Sequence, residues 1–433
     1  MAAIAMFKPI RFIREEYVQA YRGLPGAAWI LFAVNLVNSS GSMVFFFLSL
    51  YLTRKLGLGT AQAGQAISVY GAGSLAGAFL GGWVADRIGP IGVQKACLCV
   101  CGILLLALGQ ISSISGILPL LFSLALFSGM LFPANSTSMS KICPPELQVK
   151  GFALNRLAAN LGATIGPAVG GFLALRDYRL LFWVDGLTSL LAAVLFLVLW
   201  KGPGLKTANR GAAVMREAHP DREGGQTGSP WRDGPFLLLM LIFLLWYSIF
   251  LQIVTTFPLY IRGIYGLAEN RIGQLFAVNT LMIVALEMIL MEKIRKYPLT
   301  RMLNLSFVLL GIGFGLLPFG RGFLYAAFTV AIWTVGEMLC MPLATALVAR
   351  RADDRVRGRY MGFLSFVFSL AFIIAPAGGT AIYSRYGGDA VWFVSAILGF
   401  LLAAGFSALR PLLQRSGHAA DSADVTGVGE PGA

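Results

Sequence analysis

The sequence predicts an all-α membrane protein: twelve transmembrane helices arranged as two pseudo-symmetric halves of six. Three observations carry this expectation. The 433-residue chain is 57% hydrophobic and only 12% charged, against roughly a half and a quarter in ordinary soluble domains. Its apolar residues fall in runs of roughly 20, the length that a hydrocarbon core about 30 Å thick requires of each helix. A polar stretch rich in Gly, Pro, Arg, Glu and Thr, from Lys201 to Asp233, divides those runs six and six.

In chain order, residues 1–28 form an N-terminal arm in which Ile10, Ile13, Tyr17 and Tyr21 recur at helical spacing among Lys8, Arg11 and Arg14. That pattern fits either a short helix lying on an anionic leaflet or a plain basic tail. The first apolar run exceeds the roughly 7 to 15 residues of a cleaved signal's apolar region, so it is expected to remain as the first span. Spans one to six follow at about 29–52, 64–85, 96–114, 118–140, 152–174 and 180–200, completing an N-terminal half over 29–200. Residues 201–234 read as a flexible linker. Spans seven to twelve lie at about 235–260, 271–291, 302–319, 323–347, 359–382 and 390–409, a C-terminal half over 235–409. The tail, 410–433, is expected to be disordered.

Orientation follows from the basic residues. With the N-terminus inside, the arm, the loops after even-numbered spans and the tail hold about 25 Lys and Arg, against about eight outside. Both termini and the linker are therefore expected in the cytoplasm, with the chain in the cytoplasmic (inner) membrane. Arg350, Arg351, Arg355, Arg357 and Arg359 make the strongest single cluster, after span ten. The net charge of +14 would suggest nucleic acid in a soluble protein, but its residues sit in short gaps between apolar runs. The expected partner is the lipid bilayer, not nucleic acid.

No catalytic, metal or cofactor site is expected. His219 and His418 fall in polar segments, leaving no histidine for a buried metal or proton-transfer site. Cys97, Cys99 and Cys101 alternate inside an apolar run. A helix puts Cys97 and Cys101 on one face and Cys99 elsewhere, so they read as small apolar residues. No nucleophile–histidine pair or phosphate-binding loop is visible.

The halves carry a faint duplication. Pro133 in span four matches Pro342 in span ten at a shift of 209 residues, and the same shift takes Pro167 to Pro376 and Gly170 to Gly379. An identical shift linking corresponding spans predicts halves related by a pseudo-twofold axis along the membrane normal, with a site between them near the midplane.

Two motifs extend this reading. The loop after span two reads Gly81-Gly82-Trp83-Val84-Ala85-Asp86-Arg87-Ile88-Gly89. Span five contains Gly162-Ala163-Thr164-Ile165-Gly166-Pro167-Ala168-Val169-Gly170-Gly171. The first resembles the signature loop of the major facilitator superfamily; the second resembles the glycine-proline motif of its drug:proton antiporter branch. Gly81 and Gly82 are expected to allow close helix approach, and the proline with its glycines to let span five pack and bend. The resemblance implies that Asp86 locks one arrangement of the halves against the start of span eleven, near Arg357, Arg359 and Tyr360. There are two departures. Pro90-Ile91-Gly92-Val93-Gln94-Lys95 replaces the family's run of basic residues, which weakens the expected lock. Ala125 stands four residues before Gly129, where these antiporters carry an arginine, so proton coupling through that residue is not carried over.

An ionisable side chain near the bilayer centre costs at least ~2.5–3.5 kcal/mol, so each one suggests a partner or a task. Glu337 in span ten lies close to the midplane and is the leading candidate. Glu287 in span eight lies somewhat deeper toward the cytoplasm, with Glu292 at that span's inner end. Arg156 in span five and Asp185 in span six sit nearer the interfaces, where either structural pairing or a substrate or proton role fits. Asn35, Asn38, Asn135, Gln252 and Asn279 add a neutral polar lining. In the resembled family spans one, four, seven and ten border the central cavity, which singles out Asn35, Asn135, Gln252 and Glu337.

The function expected is secondary active transport by alternating access: proton-coupled efflux of an amphipathic small molecule, driven by the proton gradient without a cofactor. One proton crossing about 150 mV supplies roughly 3.5 kcal/mol, enough for a few-hundredfold gradient. A single chain is expected to suffice. Import or exchange of a metabolite, or lipid flipping, stays open on the same fold, with a non-transporting receptor or scaffold further off.

Overall fold

A computed structural model of the chain describes residues 22–200, 230–352 and 356–425. The expected surface helix around Ile10 to Tyr21, most of the linker and Arg355 lie outside the described residues. Among the described residues, twelve helices are long and apolar enough to cross a membrane. Spans one to six are Gly26–Lys55, Thr60–Ile88, Pro90–Leu108, Ile114–Ile142, Lys150–Arg176 and Arg179–Leu199. Spans seven to twelve are Gly234–Gly263, Glu269–Ile294, Leu299–Phe319, Phe323–Arg351, Arg357–Tyr386 and Gly388–Pro411. Their surfaces carry exposed apolar side chains such as Phe132, Leu324 and Met288, as lipid-facing helices require.

The largest departures from the boundaries read in the sequence fall at span three and the last helix. Span three starts at Pro90 and ends at Leu108, earlier at both ends than the apolar run suggests. Proline suits the first helical position, where its missing N–H costs nothing, and Gly89 turns into it at φ 78°. Gln94 is thereby carried into the protein, where its Nε2 donates to Ser138 Oγ at 2.7 Å. The last helix runs on to Val425, so helical backbone replaces the first part of the expected disordered tail.

The chain folds into two compact units that do not coincide with its two runs of six helices. One comprises the chain up to Val44 and from Gly73 through span six; the other comprises Phe45–Ala72 and spans seven to twelve. Span two serves both. A β-carbon on Gly77 would lie 2.9 Å from Leu126 C, and one on Gly81 would lie 3.0 Å from Met130 Cα, both in span four. Earlier in the same helix, a β-carbon on Gly64 would lie 2.6 Å from Pro376 O and one on Gly71 would lie 2.8 Å from Phe372 C, both in span eleven.

Spans one and seven are both broken. The first piece of span one ends at Gly41, and helix resumes at Val44 and widens into a π-turn over Tyr51–Lys55. The first piece of span seven ends at Phe250, followed by a 3₁₀ turn over Leu251–Ile253 and helix from Thr256. Gly41 and Phe250 are again 209 residues apart, so the duplication read from prolines extends to a shared bend.

Candidate functional site

In the first unit the polar groups gather on the break in span one. Span five lays its glycine-proline motif against it: a β-carbon on Gly162 would lie 2.7 Å from Ser39 C, and one on Gly166 3.2 Å from Ser42 O. Gly166, Pro167, Gly170 and Gly171 are all buried. Span six supplies the opposing side. Val44 N donates to Asp185 Oδ2 at 3.3 Å, and Ser189 Oγ donates to Asn38 Oδ1 at 3.2 Å.

One turn before the break, three asparagines meet. Asn35 Nδ2 donates to Asn155 Oδ1 at 2.9 Å, and Asn135 Nδ2 donates to the same oxygen at 3.1 Å. The Asn135 side-chain oxygen is buried without a protein partner. Asn35 and Asn38 therefore brace different neighbours, spans five and six. Asn155 was not singled out from the sequence; its neighbour Arg156 was, and lies exposed.

In the second unit Glu337 is partly buried, and Asn279 reaches it across from span eight. The Asn279 amide donates to Glu337 Oε2 at 2.8 Å and to Thr334 Oγ1 at 3.0 Å, while Thr334 donates to Val330 O at 2.6 Å. The amide itself is only 5% exposed. Glu287 is also buried, two turns further along span eight. Gln252 lies at the break in span seven with its polar atoms engaged. Its Nε2 donates to Ala375 O at 2.9 Å, and its Oε1 accepts from Thr255 at 3.1 Å and Thr256 at 2.9 Å. The amide braces span seven against span eleven beside Gly379.

A run of aromatic rings reaches the helix that carries Asn279. Phe45 stacks on Phe372 with centroids 5.4 Å apart and lies 5.4 Å from Tyr70. Phe46 meets Phe276 edge-on at 4.8 Å, and Phe276 sits one turn before Asn279 in span eight. Phe368 extends the run to Tyr247 at 5.0 Å.

The loop motif behaves unevenly. Gly81 packs on span four, but Gly82 has no atom within 4 Å of a β-carbon built on it and is exposed, which corrects the expectation of close approach at both. Asp86 is exposed, and Arg87 lies over the Trp83 ring at 3.7 Å. At the start of span eleven Arg357 Nε donates to Ala349 O at 3.3 Å, Arg359 is exposed, and Tyr360 donates to Asp233 at 3.2 Å. Asp233, unmarked in the sequence reading, is the hub there. It caps span seven by accepting from Phe236 N at 3.1 Å, and Arg351 of span ten grips both its oxygens at 2.7 and 2.5 Å. Burial works to raise its pKa, but the Arg351 hydrogen bonds and charge, the Phe236 N–H and the Tyr360 hydroxyl together hold it below the usual carboxylate range.

A family model described as Major Facilitator Superfamily matches residues 30–376, most of the chain. The chain belongs to the major facilitator superfamily. As a member of that superfamily it is a transporter and not an enzyme. This major facilitator is 25% identical over 371 residues to the Na(+), Li(+), K(+)/H(+) antiporter of Planococcus maritimus, covering 78% of this chain and 85% of the relative. It is 25% identical over 393 residues to the multidrug resistance protein MdtH of Photorhabdus laumondii, covering 87% and 92%. Among solved structures, a peptide transporter POT in complex with sulfate matches at a TM-score of 0.75 and 19% identity over 92% of this chain and 96% of its own. The nucleoside transporter NupG matches at 0.74 and 16% identity over 89% and 99%. At these identities the structural likeness concerns the fold alone.

Proposed function

We propose that this superfamily member is a proton-coupled exporter of amphipathic small molecules carrying a positive charge, with Glu337 as the coupling carboxyl. The observation that carries the reading is the Glu337 carboxylate held by Asn279 of span eight, the helix whose Phe276 meets the ring of Phe46 one turn earlier; Phe45, Tyr70 and Phe372 are partly exposed rings next in that run, the latter two each meeting Phe45. An acid in hydrocarbon favours either a proton or a cation as its companion, and aromatic faces attract cations while accommodating apolar bulk. Proton and substrate then compete for one carboxylate, the requirement for antiport. The relatives named as a multidrug resistance protein and a cation/proton antiporter support this direction. The excess of Lys and Arg in the arm and in the loops after even-numbered spans supports an orientation with both termini cytoplasmic.

The test is transport into everted vesicles with an imposed pH gradient and a fluorescent lipophilic cation. Glu337→Gln is expected to abolish pH-driven uptake while the protein still inserts and folds. Retained uptake would remove Glu337 from the coupling step. A second reading, inward movement of a metabolite, takes its support from the peptide and nucleoside transporters that share the fold; net accumulation of a substrate in intact cells would favour it.

A further inference from the structure

The Glu337 site leaves several buried acids unused, among them one at the break in span one. Asp185 of span six is 7% exposed. Its Oδ2 accepts from Val44 N at 3.3 Å, with the Met43 N–H, which also donates to Gly41 O at 2.6 Å, as a second donor. Val44 opens the second piece of span one, whose first N–H groups have no partner within the helix and need one in hydrocarbon. A neutral acceptor would serve, and span six already carries Thr188 and Ser189 within a turn of this position. An acid instead brings a charge, about 9 Å along the helix from Arg179, and among the described residues Asp185 has no cationic partner.

The surroundings hold little else that titrates. Spans one, three and five pack against span six. Span one carries no titratable side chain from Gly26 to Leu50, with Tyr51 following, and span five carries none between Arg156 and Arg176. Span three presents the buried Cys101 thiol, while span six itself has Arg179 at its start, after Asp177 and Tyr178. The second observation is where the held residue lies. The chain leaves one compact unit for the other between Val44 and Phe45, immediately after the amide that Asp185 grips and immediately before the rings of Phe45 and Phe46. Gly41, Gly162 and Gly166 supply small residues around that joint.

We propose that Asp185 is a second proton-binding site, distinct from Glu337, that sets the joint in span one. As a carboxylate it holds the Met43 and Val44 N–H groups and fixes the bend. Taking one proton from water onto a side-chain oxygen, it keeps a full acceptor oxygen for one amide only, the Met43 N–H is left to Gly41 O, and the bend between Gly41 and Val44 loosens. Loss of the proton back to water restores the grip.

The test uses the full chain in lipid nanodiscs, with spin labels introduced through non-native amino acids at Gln62 and Ser113 so that the five cysteines stay intact. The label-to-label distance distribution is followed by electron–electron resonance from mildly acidic to alkaline pH. The otherwise unsubstituted protein is expected to shift between two populations with one midpoint. Asp185→Asn should lose the pH response and Asp185→Glu should keep it with a moved midpoint. The same Asp185 series made in a Glu337→Gln background is expected to keep this order, which separates this site from the coupling carboxyl. A flat response in the unsubstituted protein, or a full response in Asp185→Asn, overturns the proposal. Should the Asn variant not insert, Asp185→Ser is judged by the same two outcomes.

Discussion

Removing Arg351 tests whether the cluster at the linker side of the second unit is held by charge. Breaking a buried ion pair from one side costs about 3–5 kcal/mol, whereas exposed pairs contribute about 0–1 kcal/mol. The side chains of Arg351 and Asp233 are 11% and 16% exposed, which places the pair toward the buried end. After Arg351→Ala the carboxylate keeps the Phe236 N–H and the Tyr360 hydroxyl, and hydrogen bonds to a charged group are each worth about 1.5–3 kcal/mol. The expected loss is therefore intermediate, about 2–3 kcal/mol. The pH dependence gives an independent reading. Asp233 binds its proton less tightly folded than unfolded, so its contribution is fully present above the ordinary carboxylate pKa of about 3.9 and is lost as pH falls through the lowered value. Arg351→Ala should flatten that acid loss as well as lower stability at neutral pH. The assay is reversible unfolding in mixed micelles across pH, closed as a double-mutant cycle with Asp233→Ala. A neutral-pH cost below about 0.5 kcal/mol together with an unchanged acid limb would refute a charge-held cluster.

The glycine pair of the loop motif should separate cleanly. Gly81→Leu is expected to lower stability by at least about 1–3 kcal/mol through overpacking, because its β-carbon would meet the Met130 backbone and Pro133 ring at 3.0 and 3.1 Å. Gly82→Leu should stay within about 0.5 kcal/mol, and thermal unfolding of the two purified variants checks both. At the other end of the second unit, Tyr265 donates to Leu317 O at 2.7 Å, so Tyr265→Phe should cost about 1 kcal/mol. Burial, reinforced by Tyr325 and opposed by Arg321, pushes the Tyr265 phenol up to about 12. Its contribution is present below the ordinary tyrosine pKa of about 10 and is lost as pH rises toward that higher value. Alkaline unfolding should therefore lose part of its pH dependence in Tyr265→Phe.

The helices were legible because a span announces itself twice, as an apolar run and as the gap of basic residues that ends it. Matching prolines at Pro133, Pro342, Pro167 and Pro376 made the duplication visible as well. The bends were hidden. Asn38-Ser39-Ser40-Gly41-Ser42 is a polar cluster inside an apolar run and so a turn signal that the length of the run masked, whereas Phe250-Leu251-Gln252 carries no such cluster; the break in span one is received by Asp185 and the span-five glycines. Residues that brace helices were harder to read than those standing alone in an apolar run. Asn155 and Asp233 lie near stretch ends where polar residues are ordinary, yet each accepts hydrogen bonds from two other elements. Gln252 stood out as a lone amide, and its buried hydrogen bonds show that such isolation marks interhelical bracing as readily as a ligand contact. Glycines four apart at Gly73, Gly77 and Gly81 were a readable sign of a close helix seam, and that spacing, more than the adjacent pair Gly81 and Gly82, would have located the contact with span four.

The matched bends in spans one and seven carry an evolutionary consequence. A bend that recurs at the same offset in both runs of six helices is what a duplicated six-helix unit would carry, and the two copies hold it with different chemistry. The shift of 209 residues takes Asp185 to Val394, so one copy steadies its bend with an ionisable group and the other with the neutral amide and hydroxyls of Gln252, Thr255 and Thr256. The two bends are thus unequal: only the first has an ionisable side chain among the groups described as holding it, an asymmetry that a perfectly repeated pair would lack.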